Sequence, residues 1–374
     1  MTVFYTGPSK IDFSQADFSL RLFRRLAKTG RSTVVSPFSI AVALAMINAG
    51  ASGKTQKQLN DVLAKGVSSD AFNIYIKKLL KQLSKPLGGF QLNIATKLFV
   101  QKDLDMLKDY TSELHKDYAS NVNEVDFQKP ALVSQEINKW ANKQLDNTSG
   151  KLVEAEMFPD ATQMVVISIA SFDGTWKKPF NDFASHNQTF FQTKAKRKKV
   201  SVIAQTEYFP YYSDQTLSAI AIPYEGDKVV MYIFLPNERH GLSTLEKTFT
   251  AKKLFRIIRN MKRTHVDVIL PKFRLEKKTD LQRALNRLGV IDGFGEEANF
   301  TGICSAPLSL STLIHEAVIE VSESGTKGTT NVEEFKWKFI PISSSEPAEF
   351  IADHPFLFAI LHDDTLLFIG HFRG

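Results

Sequence analysis

Apolar positions recur along this chain with two periods, one helical and one strand-like, and the switches between them predict the elements. Phe18, Leu22 and Leu26 lie at helical spacing opposite Arg21, Arg24 and Arg25, which predicts an amphipathic helix over 14–28 that ends at Gly30. A short strand follows at Val34 and Val35. Ser36 ahead of Pro37 then signals the start of a helix that is apolar on most faces and therefore central. Thr55 and Gln58 have capping-box spacing and predict the start of a third helix. A fourth, over 70–85, turns Phe72, Ile76, Leu79, Leu80 and Leu83 inward and Lys77, Lys78, Lys81 and Lys85 to water. The even positions Phe90, Leu92, Ile94 and Leu98 mark a strand, and 104–118 and 134–145 read as helices. Residues 164–172 are apolar almost throughout, as expected of a strand buried on both faces. Glu225-Gly226-Asp227 joins two strands as a hairpin, 266–273 is a further strand, and 279–289 is a capped helix closed by Gly289.

The last third carries the most informative switch. Leu310–Val321 alternates as a strand, with Leu313, His315, Ala317, Ile319 and Val321 on one face and Ile314, Glu316, Val318 and Glu320 on the other. Hydrophobicity then stops: 322–331 holds only Ser, Glu, Gly, Thr, Lys and Asn, the composition of an exposed loop. Beyond it Phe335, Trp337 and Phe339 alternate with Lys336 and Lys338. Two readings stay open here: a segment displayed for recognition by a protease, or a buried strand at 335–342.

No βαβ rhythm joins the predicted elements, so the fold class is mixed α and β with mainly antiparallel sheets. No linker divides the 374 residues, which points to one domain over 1–374. At 43% apolar and 23% charged residues the chain is globular. Its one cysteine, Cys304, excludes an internal disulfide and a multi-thiolate metal site, and no cofactor is implied. Gly53-Lys54-Thr55 is not a phosphate loop, because Asn48 stands where the first glycine is required and a helix precedes it. No G-x-S-x-G, H-E-x-x-H or Cys-His signature is present, so an enzyme is not expected.

The charge of +7 permits polyanion binding, through Lys77, Lys78, Lys81 and Lys85 or through Lys194, Lys196, Arg197, Lys198 and Lys199. A solvated face is the stronger reading of both: exposed helix lysines more often serve solubility, and no aromatics interleave with the charges of the second run. No apolar run reaches the roughly 18 residues that span a bilayer, and residues 1–13 hold no leader-like stretch. A monomeric cytoplasmic protein without membrane contact is expected, or an extracellular one if Met1 begins a mature secreted chain or release is unconventional. Sequons occur at Asn147, Asn187 and Asn299.

Several stretches carry a resemblance. HEAVIEVSESGTKGTT, HPFLFAIL and the terminal LLFIGHF resemble the C-terminal third of a serpin, a member of the serine protease inhibitor family. SPFSIAVALAMINAGASGKT resembles the serpin core helix and its following turn, and SQEINKWANKQLDNTSGKLVE the helix across the main sheet. FDGTW, with Gly174 and Trp176 in place, is similar to another family motif. The likeness runs the length of the chain and is nearest the intracellular-type invertebrate serpins that lack a signal peptide. It implies an α+β domain of large sheets with about eight or nine helices and a reactive loop near 323–350.

It also implies a function: a target protease cleaves the loop, the freed strand enters the main sheet, and the acyl-enzyme is trapped. Glu323, Gly325, Thr326, Gly328 and Thr330 are the implied hinge. Inserted positions alternate inward, so Thr326, Gly328 and Thr330, then Val332, suit burial while Lys327, Thr329, Asn331 and Glu333 face water. Glu334 breaks that register. Lys327 replaces the usual Glu, and Gly328 to Asn331 replace residues that are mostly alanine in inhibitors. A non-inhibitory serpin, acting as chaperone, carrier or storage protein, therefore stays open.

Counting fourteen residues from Gly325 places the cleaved bond at Phe339–Ile340, suited to a chymotrypsin-like pocket. Lys338 would suit a trypsin-like enzyme, or a cysteine cathepsin reading Trp337 beside it. The loop is longer than in the commonest serpins. Excess ahead of the bond would shift it to Ile342 or Ser343, whereas a solvated insertion at Ser343-Ser344-Ser345 keeps Phe339. The resemblance further implies a gate, with Glu323 paired to Lys272 over Trp176, and a buried cluster of Ser36, Ser39 and His315. Ser168 stands where the family usually has Asn, and its shorter reach predicts a bridging water.

Overall fold

The computed structural model describes residues 7–27, 30–85, 88–145, 150–326 and 346–374. Its helices are α1 (Lys10–Leu26), α2 (Pro37–Ala49), α3 (Gly53–Leu63), α4 (Ser69–Leu83), α5 (Lys108–Tyr118), α6 (Pro130–Gln144), α7 (Leu242–Thr248), α8 (Ala251–Asn260) and α9 (Gln282–Leu288). Its strands are β1 (Thr33–Val35), β2 (Phe90–Gln101), β3 (Val122–Val125), β4 (Met164–Thr175), β5 (His186–Phe191), β6 (Arg197–Ser213), β7 (Leu217–Pro223) and β8 (Val229–Pro236). They continue with β9 (Lys262–Pro271), β10 (Phe273–Asp280), β11 (Leu310–Val321), β12 (Gly325–Thr326), β13 (Ala348–Ile351), β14 (Phe356–His362) and β15 (Thr365–Phe372).

Two sheets result. The larger runs β1-β15-β14-β8-β7-β6-β9-β13, with β5 attached to β6. The smaller runs β10-β11-β12-β4-β2-β3, with β11 and β4 also paired directly. Most pairings are antiparallel, as the absence of βαβ units requires. Along β11 and β4 the pairing is parallel, from Leu310 opposite Met164 to Val318 opposite Ser171. Beyond that point the two strands part, and β12 lies between them.

Between the sheets sits α2, buried at every position from Pro37 to Asn48. Each of Phe38, Ile40, Leu44 and Ile47 contributes roughly 2 kcal/mol of transfer free energy there. The other face of the smaller sheet is covered by α6, which lays Val133, Ile137 and Ala141 on Val165, Ile167, Ile314 and Val318. That layer buries β11 on both faces, and its buried side chains include the polar Thr312, His315 and Glu316.

Several boundaries differ from the sequence expectation. The first helix begins at Lys10, not 14, because Ser9 and Asp12 form a reciprocal capping box. Thr55 and Gln58 form no such box. The Thr55 hydroxyl accepts from Asn299 N, and the Gln58 side chain ties down Ile291 and Asp292, so both serve tertiary contacts. Residues 104–107 are not helical: Met106 bridges to Cys304, Leu107 N donates to the Ile303 carbonyl, and α5 starts only at Lys108. Pro130 opens α6 four residues ahead of the expected start, where its missing N–H costs nothing.

Candidate functional site

At the end of the smaller sheet where β11 and β4 part, the chain turns back on itself. Val321 ends β11, Ser322 N donates to the Gly325 carbonyl over 2.8 Å, and Gly325–Thr326 returns as β12. Thr326 pairs with Val321 on one side and Gly174 on the other, antiparallel to both neighbours. The backbones meet so closely that a Cβ on Gly325 would lie 1.9 Å from the Gly174 oxygen. A Cβ on Gly174 would in turn strike the rings of Phe172 and Tyr224 at 2.8 Å. Glycine at both positions is what lets a third strand start here.

Thr326 is completely buried, and its hydroxyl meets the Tyr224 hydroxyl at 2.5 Å. Burial pushes the Tyr224 phenol far above its ordinary pKa, so it stays protonated and neutral. Trp176 stacks on Tyr224 with ring centroids 4.4 Å apart and donates its indole N–H to the Ser322 carbonyl over 2.9 Å. Its backbone N–H donates to the Ser324 carbonyl. The tryptophan expected at the gate is therefore the wall on which the turn is built.

Glu323 fixes the outer side of that turn. Lys272 Nζ lies 2.8 Å from Glu323 Oε1, the pairing expected from the sequence. Ser185, which sequence reasoning did not single out, donates to the same oxygen over 2.6 Å, and Phe180 N holds the Glu323 carbonyl. Burial acts to raise the Glu323 pKa, but the bonds from Lys272 and Ser185 outweigh it and hold the carboxyl below its usual range. Neither Ser185 nor Tyr224 carries a local sequence signal for this role, since each reaches the hinge only through the fold.

Beneath the sheet the four expected cluster residues do meet. Ser36 caps α2 by accepting from Ser39 N, while its own N–H donates to His315 Nε2 over 3.0 Å. Because Nε2 accepts, the neutral ring carries its proton on Nδ1, 3.5 Å from the Ser39 hydroxyl. Ser168, directly across from His315 on β4, reaches Ser39 with its hydroxyl at 3.1 Å. The expected bridging water is thus not needed between them: α2 packs close enough for serine to span the gap. Burial drives the His315 pKa down to about 3, so the ring is uncharged.

One expectation needs correcting outside this site. Lys77 does not face open water but pairs with Glu113 and Asp117 at 2.7 Å each, on α5. Its neighbours Lys78, Lys81 and Lys85 are exposed, as are Lys194, Lys196, Arg197, Lys198 and Lys199. Gly328, Thr330, Lys338, Phe339, Ile340, Ile342 and Ser343 lie outside the described residues. Among the described residues no cluster of His, Cys, Asp and Glu could hold a metal ion.

Comparison with known proteins agrees with the geometry. Residues 13–373 match the family model described as serpin (serine protease inhibitor). The chain is 32% identical to the leukocyte elastase inhibitor of Sus scrofa, over 94% of this chain and 96% of that one. Among solved structures it is similar to Serpin48 of the insect Tenebrio molitor, with a TM-score of 0.86 at 26% identity over 98% of both chains. It is also similar to human thyroxine-binding globulin, with a TM-score of 0.88 at 25% identity over 98% of both chains. A turn-back strand seated between parting central strands, a buried Ser-Ser-Ser-His cluster beneath them and a family match along nearly the whole chain place this protein in the serpin family.

Proposed function

We propose that the protein inhibits a protease by suicide-substrate trapping, with the freed reactive strand inserting between β11 and β4. The observation that carries this reading is the seat of Thr326. The hinge already occupies the head of the gap, antiparallel to both strands, with its first inward side chain buried. Extending β12 would exchange the parallel β11–β4 ladder for two antiparallel ladders, which pair slightly better per residue and add hydrogen bonds overall. Strand addition of this kind, of which serpin loop insertion is an established example, draws its free energy mainly from the main chain. The next inward residues, Gly328 and Thr330, are small enough to follow Thr326.

On the count from Gly325, the bond attacked is Phe339–Ile340 and the target is a chymotrypsin-like serine protease. Lys338 beside Trp337 makes a cysteine cathepsin the alternative target. A second reading, a carrier, chaperone or storage serpin, draws on Gly328 to Asn331, where inhibitors mostly carry alanines, and on the similarity to a thyroxine-binding protein. The two readings part in one experiment. Incubation with a panel of proteases, followed by denaturing electrophoresis and mass spectrometry of the loop, should show a covalent complex cleaved after Phe339. Cleavage without a complex for every protease would favour the second reading.

A further inference from the structure

A cleft of about 830 Å3 lies between the end of α1, the strand β10 and the helix α9, away from the hinge. Five cations line it: Arg25, Lys277, Lys278, Arg283 and Arg287. Against them stands one lining carboxylate, Asp280, which already accepts from Gln282 N over 2.9 Å. Lys278 donates to the Lys151 carbonyl at 2.6 Å and lies 3.8 Å from Glu276 and Glu316. The other four form no ion pair with any described residue. Elsewhere Lys77, Lys102, Lys177, Lys178 and Lys272 each meet a carboxylate within 3.3 Å.

The cleft also differs from the two basic stretches that the sequence brings forward. On α4, Lys77 is neutralised by α5. At the start of β6, Arg197 to Lys199 lie along an exposed strand, with Arg197 over the Phe191 ring. At the α1–β10–α9 cleft, by contrast, cations from three elements, Arg25, Lys277, Arg283 and Arg287, converge on one concavity without a described ion-pair partner. Its floor is partly apolar, through Leu26, Ala284 and the half-exposed Ile291. Like charges held around one cavity repel, and the local potential concentrates anions there. Three of the five are arginines, whose planar fork binds phosphate or sulfate through paired hydrogen bonds. The volume is that of a ligand site.

We propose that this cleft binds a multivalent oxyanion, a molecule carrying several phosphate or sulfate groups. The site is independent of protease trapping. Inorganic tripolyphosphate and a sulfated dextran serve as probes, titrated against the full chain by calorimetry at about physiological salt. The double variant Arg283→Glu with Arg287→Glu should weaken binding by at least tenfold. Lys78→Glu with Lys81→Glu, an equal change in net charge at exposed positions on α4, should leave it unchanged. Tighter binding of tripolyphosphate would identify a compact phosphate ligand, and tighter binding of the dextran a sulfated polysaccharide. Failure of the wild-type protein to bind either probe, or an equal loss in the α4 variant, would overturn the proposal.

Discussion

Replacing Thr326 by arginine tests whether the seat of the hinge is the start of an insertion path. Thr326 is wholly buried, bonded to Tyr224 and paired on both sides, at Val321 and Gly174. An inward guanidinium there would be a buried cation facing the neutral Tyr224, at a cost of several kcal/mol. The hinge of Thr326→Arg should therefore leave the sheet, forfeiting the Tyr224 bond and its backbone pairings, together about 2–4 kcal/mol. After cleavage, insertion must carry the same side chain inward, and each ~1.4 kcal/mol added to that barrier slows it about tenfold. A penalty of about 3 kcal/mol slows insertion roughly a hundredfold, long enough for the acyl-enzyme to hydrolyse. Titrating a fixed amount of an inhibited protease should show the stoichiometry rise from near one to well above ten, with cleavage of the loop retained. Thr326→Val, which removes only the hydroxyl, should lose about 1 kcal/mol and still trap. One-to-one covalent complexes formed at the wild-type rate by Thr326→Arg would refute the insertion argument.

Further outcomes follow from the gate and the cluster. Glu323→Lys places two ammonium groups where a carboxylate now joins Lys272 and Ser185, and should hasten polymer formation on mild heating, read on native gels. Adding Lys272→Glu should reverse the effect, and no rise in polymer for the single variant counts against the gate. His315, with a folded pKa of about 3 against an ordinary 6.5, is held neutral, so its contribution is whole above pH 6.5. That stability is lost as the pH falls from 6.5 towards 3, at up to about 1.4 kcal/mol per unit, or about 2 kcal/mol at pH 5. The Tm of His315→Gln should consequently fall less steeply with acid than that of the wild type, and parallel Tm curves would remove His315 as the cause.

Much of this protein is written locally. The central helix follows from an apolar run behind Ser36-Pro37, the strand β4 from continuous hydrophobicity, and the closing hairpin strands β14 and β15 from short motifs at the C-terminus. The pair Glu323–Lys272 and the wall at Trp176 were legible too, through motifs similar to those of one family, each confined to a few adjacent residues. Tertiary structure decided the rest. Thr55 and Gln58 have the spacing of a cap, yet their side chains are better satisfied by backbone groups more than 230 positions away. The same holds at the site: Ser185 and Tyr224 meet the hinge because β4, β5 and the β7–β8 hairpin converge at one end of the smaller sheet. Lys77 looked like a solvated charge until α5 brought Glu113 and Asp117 beside it. Hydrophobic period is set by which face a residue must bury, so it reports on elements one at a time. Which polar groups find each other depends on how those elements cross, and distant residues meet only once the chain has folded.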